Sequence, residues 1–345
     1  MSGGVDSSAA AALLREQGHD VIGLFMRNGV HSELEGGKGC CTLEDANDAK
    51  AVAAHLDIPF YAINFEYEFG KLIDYFIDEY DRGRTPNPCV MCNRMLKFGH
   101  LLQFAREVGA EVVATGHYAR TAQRDGRTLL LRAADKEKEQ SYVLFNQTQK
   151  QLAASLFPLG EMKKSEVREV ARRAGLRVHD KHESQDICFV PTGDYRDVLN
   201  ERAPKILSTG PIVDETGSEV GQHEGVQLYT IGQRKGLRIG GLDSPRYVVG
   251  LDRDNNTVRI GPKRDLLQKE CTIHRPNWIS FDKLEEPVRC RAQIRYHHEP
   301  AAATLEPLED DRARIVFDVP QSAITPGQAA VCYDDDEVLG GGWIE

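Results

Sequence analysis

The sequence predicts an α/β protein in which a doubly wound parallel sheet is followed by a small central domain and a C-terminal β-barrel. Three observations carry that prediction. Strand-like apolar runs alternate with helical spacings through the first half, a glycine-rich loop opens straight into a helix-forming run at the start, and beyond Val190 short β-rich runs between turn residues take over.

Each element can be justified in order. Ala9 to Gln17 is a strong helix former that stops at Gly18, and Asp20 to Met26 is strand-like. Leu43 to Leu56 has helical spacing, and Pro59 to Phe65 reads as a second strand. Lys71 to Tyr80 and Arg94 to Val108 read as helices, and Glu111 to Thr115 as a buried strand ending at Gly116. Ligands of such sheets lie at the carboxyl ends of the strands, which puts Phe25 to Asn28 and Thr115 to Tyr118 where an adenosine would rest. In the second half Gly240-Gly241, Asn255-Asn256, Pro262 and Pro326-Gly327 are turn signals. Arg289 to Tyr296, Ala313 to Val319 and Ala329 to Tyr333 are short strands, a spacing that suits a barrel or sandwich. Domain boundaries fall near residues 198 and 264, giving segments 1–198, 199–264 and 265–345.

The chemistry begins at Ser2-Gly3-Gly4-Val5-Asp6-Ser7-Ser8. Two glycines let backbone amides approach phosphate oxygens, and the following helix points its N–H groups and positive dipole end at them. Ser7 and Ser8 can add hydrogen bonds, and Asp6 can cap the helix or help to hold magnesium. No lysine follows, so this is not the loop of kinases and GTPases. It reads as a loop that holds the pyrophosphate end of ATP while the α-phosphate is attacked. A phosphate loop needs a preceding strand and only Met1 precedes this one, so the sequence reads as lacking its first strand, about ten residues on typical strand lengths.

Composition excludes several classes. The 345 residues, 41% hydrophobic and 28% charged, contain no apolar run of membrane-spanning length and no basic-then-apolar leader, which predicts a cytoplasmic protein, read as a monomer. Net charge is −10, but Leu305 to Glu345 holds ten acids against two arginines. Glu161 to His182 has seven bases against four acids, and Gln233 to Arg238 adds a second basic cluster, so a phosphate backbone can be met locally.

Eight cysteines in such a chain read as thiols, ligands or catalytic groups rather than a disulfide scaffold. In Thr85-Pro86-Asn87-Pro88-Cys89-Val90-Met91-Cys92-Asn93, two prolines stiffen an extended loop. Asn93 is placed to cap the next helix, so that Cys92 at its N-terminus is primed as a thiolate nucleophile. Ser184 to Phe189 sets Cys188 in a polar turn. Two rival readings use metal: a zinc site of Cys40, Cys41, Cys89 and Cys92, and an iron–sulfur cluster on Cys89, Cys92 and Cys188. Cys271, Cys290 and Cys332 read as buried small hydrophobes.

These motifs together resemble the bacterial tRNA-specific 2-thiouridylases of the ATP pyrophosphatase family, almost end to end. Besides the loop and the Thr85 to Asn93 segment, they include Ala114 to Arg120, Lys138 to Leu144, Phe157 to Gly160, Ser184 to Phe189, Tyr229 to Leu237 and Pro326 to Gln328. The loop alone is shared by many ATP pyrophosphatases, and the two cysteine motifs are far more specific. The resemblance implies an adenine nucleotide α-hydrolase-like fold and thiolation of the wobble uridine of tRNA. In that reaction ATP adenylates the uridine 2-oxygen, and AMP is then replaced by sulfur. Cys188 would carry a persulfide received from a sulfur-relay protein or cysteine desulfurase. Cys92 would release that sulfur by forming a transient disulfide with it.

By the same resemblance magnesium accompanies ATP, and Met26 and Gly116 touch adenosine. Asn87, Pro88 and Cys89 line the target base, and His117, Lys138, Glu139, Gln140, Arg295, Tyr296 and Gln328 contact tRNA. The chain departs from the family pattern at Cys89, where many members carry aspartate, at Glu139 in place of aspartate, and at Gly29 in place of an aromatic residue. Two alternatives come from other classes: an ATP pyrophosphatase ligase acting on a small molecule, and a non-catalytic RNA- or metal-binding relic.

Overall fold

The computed structural model describes residues 1–29, 43–182, 187–190, 193–240 and 244–345. Its contacts divide the chain into two units. One comprises Met1–Leu72, Cys89–Asp194 and Asp336–Val338, the other Ile73–Pro88, Tyr195–Asp335 and Leu339–Glu345.

In the first unit the helix Val5–Glu16 leads to β1 (Gly23–Arg27), and the helix Leu43–His55 leads to β2 (Phe60–Asn64). β1 and β2 pair in parallel, Gly23 opposite Phe60 and Arg27 opposite Asn64. The predicted strand at residues 111–115 shortens to β3 (Val113–Ala114). A hairpin of β4 (Ala119–Arg124) and β5 (Arg127–Arg132) follows, and β6 (Ser155–Leu156) pairs with β3 in parallel. The helix Lys164–Arg173 packs on Val5–Glu16 through Val167, Val170 and Ala171 against Val5, Ala9 and Ala12, where the small alanines let the two backbones come close. That packing holds the loop at the head of the first helix against a rigid partner.

One predicted element differs. In place of an extended loop ending at an Asn93 cap, the chain is already helical at Pro88. The stretch Pro88–Met91 is α-helical, Cys92–His100 is a π-helix and Leu101–Glu107 is α-helical again, with Met91 at φ −65°, ψ −40° between the first two. Proline favours the first helical position, where its fixed φ suits the helix and its missing N–H would have no intrahelical partner. Asn93 is buried, and its Nδ2 donates to Val143 O at 2.9 Å. A π-helix wastes packing and needs outside support. Gln151 supplies it: its Nε2 donates to both Arg94 O and Phe98 O at 2.9 Å. The helix predicted at residues 71–80 also starts earlier, spanning Glu66–Asp81, because Asn64 Oδ1 accepts from Glu66 N at 3.0 Å.

The second unit holds two β assemblies. β7 (Gly210–Val213), β8 (Glu219–His223), β9 (Tyr247–Asp252) and β10 (Thr257–Gly261) form a sheet in the order β8-β7-β10-β9, with β7 and β10 parallel. The barrel consists of β11 (Leu267–Trp278), β12 (Val288–Gln293), β13 (Ala301–Pro307), β14 (Arg312–Ser322), β15 (Ala329–Asp334) and β16 (Glu337–Ile344). Its order β11-β14-β13-β12-β15-β16 closes where Ile273 of β11 meets Ile344 of β16, which leaves no open edge. Ile273, Ile315, Phe317, Leu305 and Cys332 fill the interior, with Cys271 and Cys290 also buried there, as their sequence context predicts. Burial, with a smaller contribution from Glu270, pushes the Cys271 thiol up to about 12, so it is inert.

Replacing Gln151 with alanine leaves two carbonyls of the π-helix without their donor. We expect a loss of about 2 kcal/mol. Hydrogen exchange should quicken across Cys92–His100, while Trp278 and Trp343 of the barrel report an unchanged environment in fluorescence.

Candidate active site

The loop is fixed by contacts its glycines allow. Gly3 has φ +71°, and a Cβ on it would lie 2.4 Å from Asp45 O. A Cβ on Gly116, at the end of β3, would lie 2.7 Å from both Asp6 C and Ser7 N. Gly116 is therefore pressed, backbone against backbone, on the loop at Asp6 and Ser7, while Gly3 is pressed on Asp45. Gly4 is different. It caps the helix at φ −96°, ψ 167°, an ordinary extended conformation, and a Cβ there would meet only Ser2 Oγ at 3.5 Å. The protein's own packing does not require that glycine, which leaves the approach of a ligand to the helix N–H groups as its reason.

The loop side chains divide between inside and outside. Val5 is buried in the core, and buried Ser8 donates its hydroxyl to Gly4 O at 2.8 Å, so Ser8 is not turned to a ligand. Ser7 Oγ accepts from Ser2 N at 3.0 Å and lies 3.2 Å from Ser2 Oγ, on the open side. Asp6 does not cap the helix, since Gly4 holds that position without a side-chain bond. Its carboxylate meets Lys164 Nζ at 2.7 and 2.8 Å and accepts from Tyr118 OH at 2.9 Å. Lys164 and Tyr118 were not singled out for this role by sequence. The lysine stood only as one of seven bases in a charged run, 158 positions from its partner. A magnesium ion arriving on a triphosphate would find one carboxylate, Asp6, already shared with an ammonium. That set fits a metal held mainly by phosphates. Met26, the other predicted adenosine contact, is half-buried in β1 opposite Ile63.

The thiols sit on two separate segments. Cys89 is exposed and Cys92 half-buried, three residues apart on the run that starts at Pro88, so Cys92 stands one turn inside the helical run and not at its N-terminus. Cys188 is half-buried in a turn closed by Val190 N donating to Ile187 O at 2.8 Å. Phe189 anchors that turn by an edge-on contact with Phe69, ring centroids 5.8 Å apart. On its other side Lys181 bonds Asp45 and Asp48, at 2.8 and 2.5 Å. Cys40, Cys41, Ser184, Gln185 and Asp186 lie outside the described residues. Among the described residues no three His, Cys, Asp or Glu side chains gather as a metal site, Cys89, Cys92 and Cys188 included. No step is derived through a cluster.

The residues expected at tRNA fall into two groups. Cys89, Arg295 and Tyr296 are exposed, and Lys138 and Gln140 are half-buried. Asn87, Pro88, His117 and Glu139 are buried. Glu139 turns inward, accepting from Ser141 N at 2.5 Å with Arg132 at 3.6 Å. Gln328 spends its amide nitrogen on Thr85 O and Pro86 O, at 3.1 and 2.9 Å, and so holds the chain just ahead of Asn87. His117 lies between Thr115 Oγ1, 2.8 Å from Nδ1, and Lys97 Nζ, 3.4 Å from Nε2. Burial, and then the Lys97 charge, hold its imidazole well below its ordinary value, so it is neutral at neutral pH.

A phosphate-accepting loop, an apposed Gly116 and a parallel-stranded scaffold define an adenine-nucleotide-binding α/β protein with an appended barrel. Family comparisons agree along the chain. The tRNA methyl transferase HUP domain matches residues 1–192, the tRNA methyl transferase PRC-barrel domain 196–262 and the aminomethyltransferase beta-barrel domain 268–344. The tRNA-specific 2-thiouridylase MnmA of Clostridium perfringens is 49% identical, covering 100% of this chain and 97% of its own length. Those of Magnetococcus marinus and Moorella thermoacetica are 50% and 51% identical, over 100% of this chain and 97% and 98% of theirs. The chain belongs to the tRNA-specific 2-thiouridylase family, and its HUP domain implies ATP binding. Among the described residues no helix is long and apolar enough to cross a membrane.

Two measurements test the site. Gly116→Ala should displace Asp6 and Ser7 and cost both stability and ATP binding. Gly4→Ala should cost no more than the ~1 kcal/mol of a poorer cap and still weaken ATP at least about tenfold, read by calorimetry. His117 gives a pH signature. Its folded value is depressed, so the unfolded chain takes up the proton first. Its contribution is complete above pH about 6.5 and is lost as pH falls below that. His117→Gln should flatten the fall of stability between pH 6.5 and 5 by up to about 1.4 kcal/mol per pH unit, measured by urea unfolding.

Proposed function

We propose that the protein is an ATP-dependent tRNA sulfurtransferase that converts the wobble uridine of tRNA to 2-thiouridine. The observation that carries this reading is the loop with Gly116 pressed against it, in a chain that matches the 2-thiouridylases over its whole length. Ser2, Gly3, Gly4, Val5, Asp6, Ser7 and Ser8 form the phosphate end of the ATP site and Met26 and Gly116 its adenosine end, and Asp6 would help to hold magnesium, which would supply charge neutralisation to the triphosphate. The uridine 2-oxygen bonds to the α-phosphorus, and the bond to the bridging oxygen of the β-phosphate breaks. Pyrophosphate leaves with the electron pair and the base gives up its N3 proton. A poor leaving oxygen becomes AMP, a good one.

Sulfur follows. Cys188 carries a persulfide loaded by a sulfur-relay protein or cysteine desulfurase. The Cys92 thiolate attacks the inner sulfur, forming a disulfide and releasing hydrosulfide, which adds to C2 as AMP departs. An external thiol reductant then returns the two electrons that reopen the disulfide. Cys89 borders the target base, with Asn87 and Pro88 buried beneath it. In the first unit Lys138 and Gln140 are open enough to touch tRNA, with His117 and Glu139 buried near them in sequence, and in the second unit Arg295 and Tyr296 are exposed while Gln328 braces Thr85 and Pro86.

Nucleoside mass spectrometry tests the reading. After incubation of tRNA with the protein, ATP, magnesium and a persulfide donor, uridine should gain the mass of one oxygen-to-sulfur exchange. Cys92→Ser and Cys188→Ser should abolish it while tRNA-dependent pyrophosphate release continues. Absence of the gain in the wild-type protein, or thiolation by Cys188→Ser, would refute the reading.

A further inference from the structure

We propose that Lys164 is a catalytic cation of the ATP site, which releases Asp6 and takes the β- and γ-phosphates when ATP binds. The proposal rests on the adenylation reading above. Its structural basis is an ammonium placed where a phosphate loop needs one. The segment Ser2 to Ser8 contains no base and one acid, so a polyphosphate entering it meets the helix N–H groups together with the charge of Asp6. In other phosphate loops the loop supplies its own lysine. In this fold the lysine comes from the helix packed alongside.

The position makes little sense as a stabilising device. Lys164 is the first residue of the ten-residue helix Lys164–Arg173, with Lys163 as its cap, so two cations stand at the positive end of that helix dipole. Such a placement costs a few tenths to about 1 kcal/mol. Glu166 performs the local task, its Oε2 accepting from Lys163 N at 2.7 Å. The Lys164 side chain is only 13% exposed, and a partly buried ion pair is weak support for a fold because desolvation offsets its attraction. Its backbone is fixed as well, Lys164 N donating to Asp135 Oδ2 at 2.8 Å, which aims the stem at Asp6. Tyr118 OH gives Asp6 a second donor, so the carboxylate is not left bare when the ammonium moves to phosphate.

In the adenylation step Lys164 acts on the leaving group. As the bond between the α-phosphorus and the bridging oxygen breaks, negative charge accumulates on pyrophosphate, and a fixed ammonium in a poorly hydrated site stabilises that charge more than the charge of bound ATP. Asp6, once released, would be available to hold the magnesium that accompanies ATP. No proton is transferred by Lys164 in this scheme.

Calorimetry with magnesium–ATP and with AMP tests the proposal without requiring turnover. Lys164→Gln and Lys164→Met should weaken ATP at least about tenfold and leave AMP within about twofold, because AMP lacks the phosphates the ammonium meets. Pyrophosphate release with tRNA should slow on the order of a hundredfold, and Lys164→Arg should restore most of the ATP preference. Equal weakening of ATP and AMP, or weakening of neither, would overturn the proposal. Should both neutral variants unfold, amine-directed labelling of the wild-type protein decides. ATP should protect Lys164 and AMP should not, and equal labelling with either nucleotide refutes the exchange. The two readings separate cleanly. Intact thiolation by Lys164→Gln removes this inference and keeps the sulfurtransferase, whereas an ATP-over-AMP dependence in a protein that never thiolates tRNA does the reverse.

Discussion

Two backbones meeting without a side chain between them set the geometry of the first unit. Gly116 lies so close to Asp6 and Ser7 that any Cβ would overlap main-chain atoms, and Gly3 lies equally close to Asp45. Main chain cannot yield as the tip of a side chain does, so the loop is held from both sides. The end of β3 is thereby tied to the start of the first helix. Any ligand that spans these two elements meets a distance fixed before it arrives, and order that need not be acquired on binding is not subtracted from affinity.

The same rigidity shows why some of the site was legible in the sequence and some was not. The loop, Gly116 and the turn around Cys188 are local patterns whose meaning lies in consecutive residues. The strands β1 and β2 and the helix Leu43–His55 followed from apolar spacing and lie within a few residues of the reading. The partnership of Lys164 with Asp6 spans 158 positions and joins two residues of common type, so no local pattern announces it. Gln328 is similar. Its motif was legible, but its use as a brace for Thr85 and Pro86 depends on where the barrel turn is placed within the second unit. Proline misled in a specific way: Pro86 and Pro88 read as stiffeners of an extended loop, yet Pro88 is also a good first residue for a helix, and tertiary support from Gln151 and Val143 decided the matter.

That correction changes the account of Cys92. A thiol at a helix terminus would draw its reactivity from open N–H groups. Cys92 instead opens a π-helix, whose wider turn brings residues four and five apart to neighbouring positions. Lys97, five residues on, extends from the same helix to His117. His117 is neutral, held so by burial and then by the Lys97 charge, and its Nε2 lies 3.4 Å from the Lys97 ammonium. The irregular helix is what allows Asn93 and Phe98 to be buried while Cys92 stays partly open.

The helix Leu43–His55 connects these parts physically. Its Asp45 presents backbone to Gly3 and side chain to Lys181, and Asp48 holds the same lysine. Lys181 lies seven residues before Cys188, and Phe189 pins the far side of that turn to Phe69. One helix end therefore bears on both the loop, through the Asp45 backbone, and Lys181, through the side chains of Asp45 and Asp48. Gly3 and Lys181 thus meet the same residue, Asp45, one through main chain and the other through an ion pair of 2.8 Å.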